Sequence, residues 1–157
     1  MGCNGGVAVF NGRYEHAIDD KGRVAIPARF RDILTREGHD SLYVTNFYFD
    51  REACLEVFPP SNWEILLNKV REKASFDPDM QAFETFYIGG AFEIPVDKQG
   101  RILIPEILRD FAKLGRDVVF SARRDHFQLW NKEIFERMRT ANEEKMKDPQ
   151  FYAKLGI

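Results

Sequence analysis

The sequence has few cysteines, no long hydrophobic run and almost no excess of charge of one sign. Its 157 residues include two cysteines, Cys3 and Cys54, which excludes the disulfide framework of a small secreted protein. No apolar stretch approaches the ~18 residues of a membrane-spanning helix. The start, MGCNGG, lacks the cationic and apolar segments of a signal peptide. These absences predict a cytoplasmic protein with no membrane partner.

The charge balance argues against a generic nucleic-acid binder. Lys and Arg number 23 and Asp and Glu number 25, so the formal net charge is −2. Proteins that bind polyanions without specificity usually carry a basic field. Hydrophobic residues make up 44% of the chain, which is enough to form an ordinary core. Composition alone therefore predicts a neutral soluble domain.

Enzymatic motifs are missing as well. The three histidines, His16, His39 and His126, lie far apart in the sequence. The metal-binding H-E-x-x-H, the nucleophile motif G-x-S-x-G and the phosphate loop do not occur. We therefore expect no enzyme, no catalytic residue, no metal, no cofactor and no small-molecule substrate.

An internal repeat dominates what is present. Residues 12–32 read GRYEHAIDDKGRVAIPARFRD and residues 90–110 read GAFEIPVDKQGRILIPEILRD, with nine of 21 positions identical at a constant offset of 78. The chain is therefore expected to contain two copies of one unit, at 10–75 and 76–140. A flexible extension at 1–9 and a charged, helix-prone tail at 141–157 would flank them.

Each unit is predicted to contain four short strands and two helices. Apolar residues alternate before a turn of the form Asp-x-x-Gly, a short strand follows, and Pro27 or Pro105 then opens a helix. Gly38 and Gly115 are expected as left-handed caps of these helices. Four short strands bury too little surface alone. An α+β, strand-rich fold with both repeats paired in one barrel would solve this.

Further features are expected in the second half of each unit. A strand pair should be joined by a long connection at about 45–53 in the first repeat, and by a sharp turn near Arg124 in the second. A capping box at Ser61 and Glu64 should begin the next helix, and its counterpart should begin near Asn131.

Two arginines in equivalent places suggest recognition of a duplex. Arg23 and Arg101 begin strands with their side chains opposite the apolar neighbours, so they should face solvent. Arginine is suited to bidentate contact with guanine edges or phosphates. Arg31 and Arg109, early in the helices, would extend the same ridge. The residues alone leave open a second interpretation, in which Asp19 and Arg23 only bridge the turn.

Three segments, YEHAIDDKGRVAIPARFRD, VDKQGRILIPEILRDF and FQLWNKEIFE, together resemble the MraZ family of bacterial transcriptional regulators with two AbrB-type (SpoVT-AbrB) repeats. The resemblance covers about Phe10 to Met138. It implies a swapped-hairpin β-barrel formed by both repeats and a ring-shaped homo-oligomer. It also implies a nucleoid-associated, sequence-specific DNA-binding repressor of promoters with short direct repeats, upstream of the division and cell-wall gene cluster.

The resemblance also assigns residues. DNA contacts map onto Asp19, Arg23, Asp97 and Arg101, with Lys21 beside the first pair, and onto Arg31 and Arg109 in the helices. The AbrB pattern has a further arginine where this chain has Asp32 and Asp110, so that contact is not carried over. Because Gln99 stands opposite Lys21 in the repeat, the two half-sites should not be equivalent. An AbrB-type, antitoxin-like protein-interaction module is the alternative, and the tail keeps it open.

Overall fold

The computed structural model describes residues 9–73 and 76–157. The extension expected at 1–9 lies outside the described residues except for Val9. The strands are β1 (Arg13–Ala17), β2 (Arg23–Ala25), β3 (Ser41–Phe49), β4 (Glu52–Phe58), β5 (Phe92–Pro95), β6 (Arg101–Leu103), β7 (Asp117–Ala122) and β8 (Phe127–Asn131). The helices are α1 (Ala28–Arg36), α2 (Pro60–Arg71), α3 (Pro78–Phe83), α4 (Glu106–Phe111), α5 (Lys132–Met146) and α6 (Pro149–Leu155). A π-helical turn, Glu84–Ile88, directly follows α3.

Strands of both repeats are interleaved in the main sheet. Its six strands have the order β1-β7-β8-β4-β3-β5, all neighbours antiparallel, so β1 of the first repeat pairs with β7 of the second. The remaining strands, β2 and β6, pair with each other in a two-stranded ribbon. These hydrogen bonds form an open sheet and a separate ribbon rather than one closed barrel. The mixed α+β, strand-rich class is confirmed, whereas the swapped-hairpin barrel stays a prediction.

The main core is shared between the repeats. Phe30 of α1 packs on Phe127 of β8 with ring centres 5.5 Å apart, and Phe127 contacts Phe120 of β7 at 6.2 Å. All three rings are fully buried, which contributes roughly 2–3 kcal/mol each. Because α1 and the β7–β8 pair belong to different repeats, separating the repeats would expose these rings to water.

The prediction of a long connection at 45–53 is wrong. Strand β3 continues to Phe49, and a two-residue turn at Asp50 and Arg51 leads directly into β4. Both turn residues have positive φ, 50° and 69°, as a tight turn between twisted antiparallel strands requires. The aromatic residues Phe47 and Phe49 pack on the buried clusters around α5 and α2, which favours strand over loop.

Two predicted helix ends are also wrong. Helix α2 begins at Pro60 without a side-chain cap, and the Ser61 hydroxyl donates to Glu37 at 2.8 Å instead of closing a capping box. Proline at the first helical position already supplies the required φ. After α4 the positive φ falls on Lys113, at 56°, and not on Gly115, whereas Gly38 has the expected left-handed φ of 73°.

The last helix of the second repeat begins near Asn131, as expected. The Asn131 side chain caps α5 by accepting the N–H of Ile134 at 3.1 Å. Helix α5 continues through the boundary placed at 140, and α6 begins at Pro149, where proline interrupts the helical run. The tail at 141–157 therefore contains the end of α5 and all of α6.

Candidate nucleic-acid interface

The turn between β1 and β2 is organised by the carboxylate of Asp19. One oxygen, Oδ1, accepts the main-chain N–H groups of Lys21 and Arg23 at 3.0 and 2.9 Å. The other, Oδ2, accepts Nε–H of the Arg23 guanidinium at 2.8 Å. Hydrogen bonding from the Arg23 backbone is the largest cause that lowers the pKa of Asp19, and the guanidinium adds to it. The carboxylate therefore stays ionised and fixes both the turn and the arginine.

The second repeat reproduces this geometry. Asp97 Oδ1 accepts the N–H groups of Gln99 and Arg101 at 2.9 Å each, and its Oδ2 accepts Arg101 Nε–H at 3.0 Å. The pKa of Asp97 is lowered for the same reason, first by the backbone N–H of Arg101. One difference follows from the unequal sequence, because Arg101 also donates to Gln99 Oε1 at 2.6 Å. The equivalent side chain in the first repeat, Lys21, is exposed and cationic.

The ribbon places the two arginines on one face. Val24 pairs directly with Ile102, and both are 1% exposed, so they face the core. Side chains alternate along a strand and directly paired residues share a face. Arg23 and Arg101 therefore both point outward, offset by roughly 7 Å along the strands. Since Asp19 binds only Nε, both terminal NH₂ groups of Arg23 lack a protein partner within the described part of the chain.

Arg31 and Arg109 support the turns of the opposite repeat. Arg31 donates from Nη2 to the carbonyl of Lys98 at 2.8 Å, and its Nη1 lies 2.8 Å from where a side chain on Gly100 would begin. Arg109 donates from Nε to the carbonyl of Ile104 at 2.9 Å. Its Nε also lies 2.8 Å from where a side chain on Gly22 would begin. The glycine of each turn is thus covered by an arginine from the other repeat.

A buried polar cluster lies on the face of the main sheet that points away from the main core. It was not predicted from the sequence. Glu56 of β4, 5% exposed, accepts hydrogen bonds from the Tyr87 hydroxyl, from Gln128 Nε2 at 2.9 Å and from His126 Nε2 at 2.9 Å. The other ring nitrogen of His126, Nδ1, contacts Asp125 Oδ1 at 2.7 Å. With a carboxylate at each nitrogen, the ring is positioned as an imidazolium that joins the two repeats.

The pKa values of the pair agree with this arrangement. Burial alone would lower the pKa of His126, but the hydrogen bond and charge of Glu56, aided by Asp125, outweigh it and raise the pKa. Burial alone would raise the pKa of Glu56, but His126, Tyr87 and Gln128 outweigh it and lower the pKa. A carboxylate inside the apolar run CLEVF was the available sequence signal, since a buried charge needs partners.

Among the residues that the structure describes, no group of three or more His, Cys, Asp or Glu side chains is arranged to hold a metal ion. Within 9–73 and 76–157, no helix is long and apolar enough to cross a membrane. The Cys54 thiol is fully buried in the described structure, and burial is the main cause that raises its pKa.

Comparison with known proteins also finds two copies of one unit in this chain. A family model described as "MraZ protein, putative antitoxin-like" matches the chain twice, at residues 9–86 and 87–153. The chain belongs to the MraZ family. The two matched segments adjoin at the π-helical turn Glu84–Ile88, so the repeat seen in the sequence is the repeat of the family.

Several curated relatives are named transcriptional regulator MraZ. The protein of Syntrophobacter fumaroxidans is 35% identical over 153 residues, which is 97% of this chain and 99% of the relative. That of Roseiflexus castenholzii is 42% identical over 123 residues, 78% of this chain and 81% of the relative. That of Legionella pneumophila is 37% identical over 131 residues, 83% and 85% of the two chains. These MraZ relatives are named as regulators, not as enzymes.

Proposed function

We propose that this MraZ-family chain is a sequence-specific DNA-binding transcriptional regulator. One observation carries the proposal: Arg23 and Arg101 lie on one outward face of the β2–β6 ribbon, and each is held by an aspartate that leaves its terminal nitrogens free or nearly free. The major groove of B-DNA admits a two-stranded β-ribbon. An arginine bound at Nε still presents Nη1 and Nη2, which can donate to guanine O6 and N7.

The aspartates serve as positioning residues in this proposal. A free arginine side chain loses about 2 kcal/mol of rotamer entropy when it is immobilised. The ion pairs with Asp19 and Asp97 restrict the guanidinium groups before DNA arrives, so less entropy is lost on binding. The interpretation in which Asp19 and Arg23 bridge the turn is thereby included, since the bridge is what orients the arginine.

The remaining assigned residues have unequal parts. Lys21 is exposed and unpaired within the described residues, which suits a phosphate contact. Arg31 uses one nitrogen on the carbonyl of Lys98 in the opposite turn, whereas Arg109 uses one on Ile104 of its own repeat and packs against Gly22 of the opposite turn. They would act on DNA mainly by holding the turns, with their other nitrogens available to phosphates.

Assembly into a ring-shaped homo-oligomer is part of the proposal. Large apolar side chains are exposed near α4, namely Ile107 of α4 at 67%, Tyr48 of β3 at 54% and Phe86 of the π-helical turn at 39%. The rings of Tyr48 and Phe86 both contact Phe111 of α4. The position equivalent to Ile107 in the first repeat is Arg29, so the patch has no copy there. Contact between unlike surfaces is heterologous, and heterologous contacts that close give rings. Successive subunits would then bind successive DNA repeats, each weakly and together tightly.

The finer assignments rest on family resemblance. They are a swapped-hairpin barrel, closed where the ribbon meets β1 and β5, and short direct repeats in the promoter of the division and cell-wall gene cluster. Occupation of such a promoter would repress transcription, with the protein associated with the nucleoid.

A charge-removing substitution tests the proposal sharply. In the Asp19→Asn and Asp97→Asn double variant, the loss of two negative charges alone would strengthen binding to DNA. Loss of arginine positioning should instead weaken binding at least tenfold, because each good bidentate base contact is worth about 1–3 kcal/mol. Affinity is measured by fluorescence anisotropy on duplexes that the unaltered protein selects from random DNA.

Asp20→Asn is the matched control, because Asp20 occupies the same turn without binding Arg23. It should bind as well as the unaltered protein or slightly better. The Arg23→Ala and Arg101→Ala variant should lose specific binding while its unfolding curve is unchanged. Equal or stronger binding by the Asn variant, or unchanged binding by the Ala variant, would reject the interface.

An antitoxin-like interaction module is the second candidate, favoured by the words of the matched family's description. Such a module would be a monomer or dimer that captures another protein. Light scattering distinguishes the two, since a large closed assembly supports the regulator and a small species without DNA selection supports the module.

A further inference from the structure

A cavity of about 540 Å³ lies where α5 crosses the end of the main sheet. Its apolar lining comes from Phe49 at the end of β3 and from Phe135, Met138 and Met146 of α5. The cavity is at the Arg13 end of β1, whereas the Asp19 turn follows the other end of that strand. It is therefore separate from the proposed DNA-binding ribbon.

Two arginines at this cavity have no carboxylate partner among the described residues. The guanidinium carbon of Arg123 lies 5.1 Å from the ring centre of Phe49, and that of Arg13 lies 6.0 Å from the ring centre of Phe135. Both contacts fall within the range of cation–π interaction. The third arginine of the lining, Arg139, is already paired with Glu136 and Glu143. Two positive charges without an ion-pair partner in the described structure thus lie over the apolar side chains that line the cavity.

A row of polar side chains leads from the cavity into the protein. Across the sheet, Arg13 pairs with Ser121, Ser121 with Gln128, and Gln128 with Glu56. The first three residues line the cavity. Gln128 uses its amide on Glu56 and Trp130, so its own hydrogen bonds are satisfied. The Ser121 hydroxyl makes no side-chain hydrogen bond in the described structure and is free to donate to a ligand.

We propose that this cavity is a binding site for a small organic anion, namely a carboxylate, sulfonate or phosphate monoester carried on a hydrophobic body. The anionic group would bind Arg13 and Arg123, with Ser121 as an additional donor, and the body would pack on Phe49 and Phe135. The volume falls within the 300–1,000 Å³ of ordinary small-molecule sites. Charge-assisted hydrogen bonds to the arginines would fix the anionic group of the ligand. Burial of its hydrophobic part would supply the remaining affinity.

The probe for the test is 8-anilinonaphthalene-1-sulfonate, an aromatic sulfonate, added to the full chain without DNA. Trp130 lies 6.2 Å, between ring centres, from both Phe49 and Phe135, whereas the other tryptophan, Trp63, packs in a different cluster. In a Trp63→Phe background, bound probe should quench Trp130 fluorescence at one site per chain with micromolar affinity. The uncharged N-phenyl-1-naphthylamine should bind at least tenfold more weakly.

Substitutions locate the site. Arg13→Gln together with Arg123→Gln should weaken binding of the sulfonate at least tenfold, while Arg13→Lys with Arg123→Lys keeps the charges and should stay within about threefold. Arg137→Gln is the matched control, because Arg137 is an exposed arginine of α5 that pairs with Glu52 outside the cavity. It should leave the affinity unchanged.

Several results would overturn the proposal. They are equal affinity of the Gln double variant and the unaltered protein, equal binding of the charged and uncharged probes, or binding without quenching of Trp130. Loss of DNA affinity in the Gln variant with probe binding intact would assign the two arginines to nucleic acid instead. Urea unfolding of each variant separates loss of the site from loss of the fold.

Discussion

Substitution of Gly100 by alanine tests how the two repeats are locked together. Gly100 has φ of 77°, and a Cβ placed there would meet Nη1 of Arg31 at 2.8 Å. Gly38 has nearly the same φ, 73°, but a Cβ there would meet nothing within 4 Å. The two glycines therefore share the backbone requirement and differ only in the arginine.

The magnitudes follow from this difference. A left-handed alanine costs about 1–2 kcal/mol, partly offset by the stiffer unfolded chain, so Gly38→Ala should lower the free energy of unfolding by about 1 kcal/mol. Gly100→Ala has the same cost and also displaces Arg31 from the carbonyl of Lys98. Because Arg31 is exposed, that hydrogen bond is worth about 1 kcal/mol, the lower part of the usual range. Gly100→Ala should therefore cost about 2 kcal/mol.

Urea unfolding at one fixed protein concentration measures both variants. A double-mutant cycle then combines Gly100→Ala with Arg31→Ala. Once the arginine is gone, the alanine should cost only about as much as it does at Gly38. If Gly38→Ala and Gly100→Ala cost the same, or if the two substitutions at 31 and 100 are additive, the arginine does not lock the turn.

Three further predictions concern other parts of the molecule. The raised pKa of His126 and the lowered pKa of Glu56 make their pairing most stabilising between about pH 4.5 and 6.5, the ordinary values of the two groups; stability should fall as the pH rises through the raised pKa of His126, and also as it falls through the lowered pKa of Glu56. The His126 ring also stacks on Phe58, with ring centres 4.3 Å apart. His126→Gln should cost about 2–4 kcal/mol in urea unfolding at pH 6, from the lost charge-assisted hydrogen bond and the lost stacking, and should remove the decline in stability on the alkaline side. Cys54, whose pKa is raised mainly by burial, should resist iodoacetamide in the native protein and react only in urea, as counted by mass spectrometry. Gln99→Lys gives the second turn the cation that Lys21 supplies in the first, so the plot of log affinity for DNA against log salt should steepen by about 0.9, whereas an unchanged slope would place this residue away from phosphates.

The repeated turns of this chain could be predicted from its sequence, whereas two helix ends and the contacts between distant segments could not. The Asp-x-x-Gly-Arg turn depends on residues within four positions of one another, so its hydrogen bonds follow from the sequence pattern. The role of Arg31 depends on Lys98, 67 residues away. Alternation of apolar residues fixes which face of a strand is buried, but not which strand lies beside it.

The buried polar cluster illustrates the same limit. The carboxylate in CLEVF was visible, but its partners Tyr87 and His126 are 31 and 70 residues distant. Nothing local marks His126 as one of them. Similarly, residues 45–53 include no glycine or proline, the residues that usually indicate a turn. Only the packing of the flanking strands against other elements shows that Asp50 and Arg51 form the turn.

Net charge and the capacity to bind DNA are separate quantities in this chain. Each of the acidic residues Asp19 and Asp97 cancels one arginine in the sum of −2, yet each also fixes that arginine on the outward face of the ribbon. A count of charges treats each Asp–Arg pair as neutral, whereas a DNA groove lined with hydrogen-bond acceptors would meet only the exposed guanidinium nitrogens. Under the proposed function, the near-neutral total would lower non-specific attraction to DNA and leave the directional contacts of the arginines in place. Specificity would then come from the ribbon, and affinity from the number of ribbons presented together.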